Sequence, residues 1–112
     1  MRFDSSWPRD PDLDPFRDAV WELSRNGTVE AHLMSRVLPV RRWWAKRELV
    51  WYRLVWLDGR RDRSHIDTGG LWSVIQPLKD GRFELLDIRG LVLDARRLTG
   101  HERDVLWHRY MD

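Results

Sequence analysis

The sequence predicts a single α+β domain: two short N-terminal helices, a four- to five-stranded antiparallel meander and a C-terminal helix. Three observations carry that prediction. Apolar residues recur at helical spacing through the first third of the chain, and the pattern turns β-branched and aromatic from Glu48 onward. Asp58-Gly59 and Asp80-Gly81 then separate extended runs in the manner of tight hairpin turns. Helices and strands that come in runs rather than alternating imply helices layered on one sheet.

Residues 1–13, with Pro8, Pro11 and repeated Asp, read as an irregular arm preceding one domain over residues 14–112. Asp14 followed by Pro15 is an N-cap with proline in the first turn, so a helix is expected over about residues 15–25. Phe16, Val20 and Leu23 give it an apolar side, and Asn26-Gly27 supplies a left-handed stop. Thr28 then caps a second helix in which Val29, Leu33 and Val37 share a face, and Pro39 ends it.

The run from Leu49 to Leu57 is apolar on both faces of an extended chain and reads as a central strand. A polar edge strand is expected around 61–68, followed by strands over 71–78 and 82–88. Leu91-Val92-Leu93 adds a short fifth. Thr99 with Glu102 three residues later forms a capping box for a final helix carrying Val105, Leu106, Tyr110 and Met111.

At 112 residues the chain has the commonest single-domain size and can bury about two-thirds of its unfolded surface. It has no cysteine, which excludes disulfides and thiolate metal sites. Met1 to Asp10 lack the charged start and apolar run of a signal peptide, so a cytoplasmic location is expected. The nearly apolar Leu49–Leu57 run is far short of the roughly 20 residues that span a bilayer, so no membrane association is expected.

The net charge of +2 conceals a gradient along the chain. Residues 1–35 carry −3, residues 36–63 carry +6 and residues 64–112 carry −1. Only Lys46 and Lys79 among the 20 basic residues are lysine. Arginine suits bidentate recognition of phosphate or carboxylate and stacking on rings, although a GC-rich genome would encode the same bias.

The candidate site lies in the basic block. Arg41, Arg42, Trp43, Trp44, Lys46 and Arg47 are followed by Arg60, Arg61 and Arg63. Guanidinium groups that neutralise phosphates, interleaved with rings that stack on bases, are the equipment of single-stranded nucleic-acid binding. Val50, Tyr52, Leu54 and Trp56 share one face of the strand and are assigned to the core. Trp43 and Trp44 are adjacent and cannot both enter one small core, so an exposed ring is expected beside the arginines.

The expected function is therefore that of a small non-enzymatic binding or regulatory protein, with nucleic acid or an acidic protein surface as its partner. The alternative is a protein-interaction, inhibitor or accessory protein of phage or mobile-element type, acting through exposed Trp and Arg as a homo-oligomer or on another protein. An enzyme or ligand sensor is the third reading, resting on His65 and Asp67 on one strand face. No spacing of His and carboxylates forms a metal set, and no glycine loop cradles a cofactor phosphate. A helix-turn-helix centred on Gly27 fails, because Glu22, Asn26, Thr28 and Arg36 would occupy its apolar positions.

Overall fold

In the computed structural model, which describes residues 9–43, 45–58, 63–66, 68–86 and 90–111, Asn26 and Gly27 adopt φ of 53° and 79°. Both are left-handed, as the two central residues of a type I′ hairpin require. They join β1 (Ala19–Arg25) to β2 (Thr28–Arg42), with Arg25 directly opposite Thr28. The two expected N-terminal helices are therefore a long antiparallel hairpin. Only a short 3-10 helix, Pro11–Phe16, precedes it, capped by the Asp10 carboxylate, which accepts from the Asp12 N–H at 2.9 Å.

The physical reason for the difference lies in the spacing. Leu33 and Val37 stand four apart, an even interval that lines one face of a strand as well as one side of a helix. Ala31 and Ser35 complete that face, and Ala31, Leu33 and Ser35 are fully buried. In β1, Val20 and Leu23 point to opposite faces, and both faces are covered. Pro39 does not end the element. It pairs with Glu48 where β2 has lost β1 as its second neighbour, the edge situation in which strand proline is tolerated.

The remaining elements are β3 (Ala45–Trp56), β4 (Arg63–Ile66), α1 (Thr68–Trp72), β5 (Ile75–Pro77), β6 (Phe83–Leu85), β7 (Leu91–Arg97) and α2 (Gly100–Met111). All strand pairs are antiparallel, in the order β4-β3-β2-β1-β7-β6-β5. The result is a mainly β half-barrel with one substantial helix, in place of a four- to five-stranded meander flanked by helices. The segment expected to be a short fifth strand is central: β7 pairs with β1 through Asp94–Arg97 and with β6 through Leu91–Leu93. The expected strand over 71–78 is a helical turn plus three strand residues, because Leu71, Val74 and Ile75 bury at i, i+3 and i+4.

The concave face holds the main core. Leu23, Leu33, Val50, Tyr52 and Leu54 meet Phe16 of the 3-10 helix, Leu71 of α1, and Phe83 and Leu93 of the outer strands. Rings lock the far end: Trp21 lies 4.9 Å from Phe83 and donates its indole N–H to the Pro15 carbonyl at 2.7 Å, while Phe16 meets Trp72 edge-on at 5.5 Å. Leu54 is 1% exposed at the centre of this cluster. Leu54→Ala is expected to cost about 2–5 kcal/mol through the cavity it leaves, read as a lower denaturant midpoint at unchanged slope.

The other face carries α2. Trp107 packs with Val20, Met34 and Leu98, and its ring is flanked by Arg36 at 4.8 Å and Arg103 at 4.2 Å. Arg53 donates to the Tyr110 carbonyl at 2.7 Å, placing a cation at the negative end of the helix. His32 lies on this face opposite Glu22, and its Nδ1 is buried without a hydrogen-bond partner. Burial pushes the imidazole below its ordinary 6.5, with Arg109 adding to the effect and Glu22 opposing it. As pH falls below the ordinary value, the unfolded chain takes up a proton that the folded chain refuses, so stability declines until the lowered native value is reached. Denaturant melts between about pH 7 and pH 5 are expected to show this decline, and His32→Gln should flatten it.

Candidate functional site

Past Ser35, β2 has no pairing with β1 along the ladder, and before Trp51, β3 has none with β4. Among the described residues, 36–42 and 45–50 therefore pair only with each other, as a two-stranded ribbon that runs on for roughly 20 Å at the usual rise per residue. Arg42 stands opposite Ala45, which places Trp43 at the tip of the ribbon. Trp43 is 92% exposed. Trp44 lies outside the described residues.

The tip gathers cations. Arg41 is directly opposite Lys46, Arg47 is opposite Val40, and Arg41, Arg42, Lys46 and Arg47 are all exposed. Among the described residues, no carboxylate pairs with Arg41, Lys46 or Arg47. Like charges facing each other across a ladder destabilise it by a fraction of a kcal/mol, roughly, and among the described residues no carboxylate relieves Arg41 and Lys46. The body of the protein behaves differently: Arg25 pairs with Glu30, Arg36 with Asp18, Arg82 with Asp80, and Arg96 with Glu22 and Glu102. Arg36 and Arg53, counted in the basic block, are thus structural.

At the root of the ribbon the charge logic reverses. Glu48 is the one acidic residue of the ribbon, and its side chain is 3% exposed. Both its oxygens are engaged. Arg17 donates to Oε2 at 2.5 Å and to Oε1 at 2.8 Å, and the Asp10 N–H donates to Oε1 at 2.8 Å. Arg17 also reaches the Asp14 carboxylate and the Asp10 carbonyl, each at 2.8 Å. The guanidinium holds the Glu48 carboxyl below its ordinary range against the opposing effect of burial, and the carboxylate raises Arg17.

Glu48→Gln would leave Arg17 with Asp14 as its one charged partner among the described residues and weaken the charge-assisted bonds to the ribbon, at a cost of about 1–3 kcal/mol. Because the native value is depressed, this contribution is present above the ordinary 4.5 of the carboxyl and is lost as pH falls through the native value. Acid melts of the Gln variant should therefore lack that part of the wild-type decline.

A cleft of about 350 Å³ opens beside this clamp, between the ribbon and α1. Arg9, Lys46 and Arg47 line it, with Leu13 and Trp72 as its apolar surface; the Arg9 guanidinium is paired with Asp14 at 3.3 Å, and Arg47, next to the inward-facing Glu48, turns its side chain to the opposite face of the strand. A neighbouring cleft of about 720 Å³ shares Trp72 but is walled by Pro11, Pro15 and Pro77, with Asp10 and Asp12 and, among the described residues, no cation.

The structure thus brings Arg41, Arg42, Trp43, Lys46 and Arg47 together. Arg60 and Arg61 lie outside the described residues. Arg63 does not join the cluster: its backbone pairs with Leu54, eight residues from Lys46 along β3, or roughly 27 Å. The backbone of His65 pairs with Tyr52, and Asp67 lies outside the described residues. Arg9 and Trp72 are not candidates that the sequence singles out, because only the tertiary fold carries them to the ribbon. Among the described residues no three His, Asp or Glu side chains form a metal set, and no helix is long and apolar enough to cross a membrane.

No family model, characterised protein or solved structure matches this chain. The fold and the cluster themselves define its class: an antiparallel half-barrel presenting a basic, tryptophan-tipped β-ribbon.

Proposed function

We propose that the protein is a non-enzymatic, cytoplasmic binding protein that engages single-stranded nucleic acid through the β2–β3 ribbon. The observation that carries this reading is the Arg41–Lys46 juxtaposition beneath a Trp43 that is 92% exposed. Neither cation has an ion pair among the described residues, and the Trp43 ring beside them is largely exposed. A phosphodiester backbone would neutralise the charges and an unstacked base would stack on the ring, at about 1–3 kcal/mol per stacked base.

A second reading has its own support. Leu38, Val40, Leu49 and Trp51 are only half-buried on the ribbon face that α2 leaves uncovered, and such a strip suits a protein partner or a second copy of the chain.

Salt separates the two. Titration of labelled single-stranded oligonucleotide at two or more salt concentrations is expected to show affinity falling steeply with ionic strength. Arg41→Ala with Arg42→Ala should leave the denaturant midpoint within about 0.5 kcal/mol of wild type, since exposed charges contribute little to stability. The same pair should make the salt slope shallower by about 0.7 for each phosphate of a single strand that is no longer neutralised. Absence of oligonucleotide binding at low salt, together with salt-insensitive self-association that Trp51→Ala abolishes, would transfer the assignment to the protein reading.

A further inference from the structure

The geometry points to a forked nucleic acid as the ribbon's ligand: the tip enters the junction, Trp43 stacks on the last base pair, and each face of the ribbon follows one of the two diverging strands. Both arms of such a fork are single strands, so the assignment deepens the single-strand reading of the ribbon and rests on it.

Strand alternation sorts the tip cations into two pairs. Arg41 and Lys46 stand directly opposite each other and share one face, the same face on which Glu48 turns inward. Arg42 and Arg47 are each one residue further along their strands and project from the other face, where they are diagonal neighbours across the ladder. All four residues are exposed. The tip is therefore cationic on both sides of the sheet. A single strand running along one face meets two of these cations, whereas two strands that part around the tip meet all four, one pair each.

The ring is placed for the same ligand. Trp43 follows Arg42 directly and is 92% exposed at the end of the ribbon, ahead of both cationic faces. A group in that position meets its ligand end-on. The last base pair of a fork presents a flat, open surface at the point where the two backbones separate, with phosphates on either side of it. Stacking on one ring is of the same order as one base-pair step of a duplex, so Trp43 can cover the end pair without opening the pairs behind it. The activity implied is recognition of a junction and not unwinding.

Shape and bracing agree with this use. A two-stranded ribbon is narrow enough to enter a duplex groove about 12 Å wide, and so to pass between separated strands. Its root is held from both sides. Arg17 ties Glu48 to the 3-10 helix on one face, and on the other Arg36 pairs with Asp18 at 3.1 Å and lies 4.8 Å over the Trp107 ring of α2. A ribbon braced on both faces resists deflection toward either, as insertion between two strands requires.

The test uses the whole protein and four labelled DNA probes: a duplex with two non-complementary thymidine tails, the same duplex with one tail, the blunt duplex, and a thymidine single strand as long as both tails together. At equal salt the fork is expected to bind at least about fivefold more tightly than each of the other three. Trp43→Ala should shrink that preference below about twofold, and Trp43→Phe should keep most of it. Arg41→Ala with Lys46→Ala, and separately Arg42→Ala with Arg47→Ala, should each weaken the fork by at least about fivefold. Each pair should also make the salt slope shallower by about 0.7 for every tail phosphate no longer neutralised. Denaturant midpoints verify that the variants fold, and Gln at the same positions, which keeps side-chain stems on the ribbon, replaces Ala in any pair that does not.

Equal affinity for the fork and the single strand overturns the junction and leaves the single-strand reading intact. A one-tailed or blunt duplex that binds as tightly as the fork overturns it too, as does a loss confined to one of the two cation pairs. A fork preference that survives Trp43→Ala overturns the end-on geometry. Failure of all four probes to bind at low salt overturns both the junction and the single-strand reading.

Discussion

Glu48 sits on the concave side of β3 at the point where the sheet narrows to two strands, and its ion pair with Arg17 ties that point to the 3-10 helix. A ribbon of two strands alone is marginally stable in water. Here its root is held by a carboxylate whose two oxygens accept three hydrogen bonds, from Arg17 twice and from the Asp10 N–H. The same arginine reaches Asp14 and the Asp10 carbonyl, so both ends of the 3-10 helix are fixed to the base of the ribbon. Leu13 and Phe16 enter the main core from this helix, which couples the clamp to apolar burial as well as to charge. The placement of the ribbon and of the cleft beside it both follow from this junction.

Charge is sorted by position. In the body, guanidinium groups meet carboxylates, ring faces or a helix terminus: Arg36 lies between Asp18 and Trp107, and Arg53 holds the last turn of α2. The ribbon has one carboxylate, Glu48, turned inward to Arg17, and none beside Arg41, Lys46 or Arg47 among the described residues. Among the described residues the +6 of residues 36–63 is therefore divided between structure and surface.

How much of this is legible in the sequence depends on which signals are local. β3 and its buried face can be read directly, because Val50, Tyr52, Leu54 and Trp56 alternate with period two and Leu49–Leu57 contains no breaker. The final helix begins at Gly100, beside its expected cap at Thr99, for the same reason. The first hairpin passes for two helices because both of its faces are covered, so apolar residues occur at odd and even positions and imitate helical spacing. Asn26-Gly27 is a turn signal that serves a helix stop and a type I′ hairpin equally well, and the flanking strands decide between them. The tip cations and exposed Trp43 are legible because they are contiguous in sequence. Grouping Arg63 with them is an error of sequence proximity, which overlooks the length of β3. Trp72 escapes a linear reading because 25 residues separate it from Arg47, its neighbour across the cleft.

An exposed ribbon has a second physical problem, whose solution uses some of the same residues. Beyond Ser35 and before Trp51, β2 and β3 each present an edge that no other described strand covers, and such edges invite pairing with another chain. Charged side chains and proline are the usual protection, and Arg41, Lys46, Arg47 and Pro39 are placed to provide it. Edge protection therefore accounts for the cations without any ligand. It does not account for Trp43. A ring left 92% exposed at the end of the ribbon increases the very hazard that the charges reduce, and a small polar residue would make the turn without it. A bulky aromatic at the ribbon tip, close to Arg41 and Lys46, which have no ion pair among the described residues, is intelligible when something planar and anionic covers it. The departure from local rules is thus narrowest at Trp43, and that residue, more than the charge of the segment, distinguishes a binding ribbon from a merely protected one.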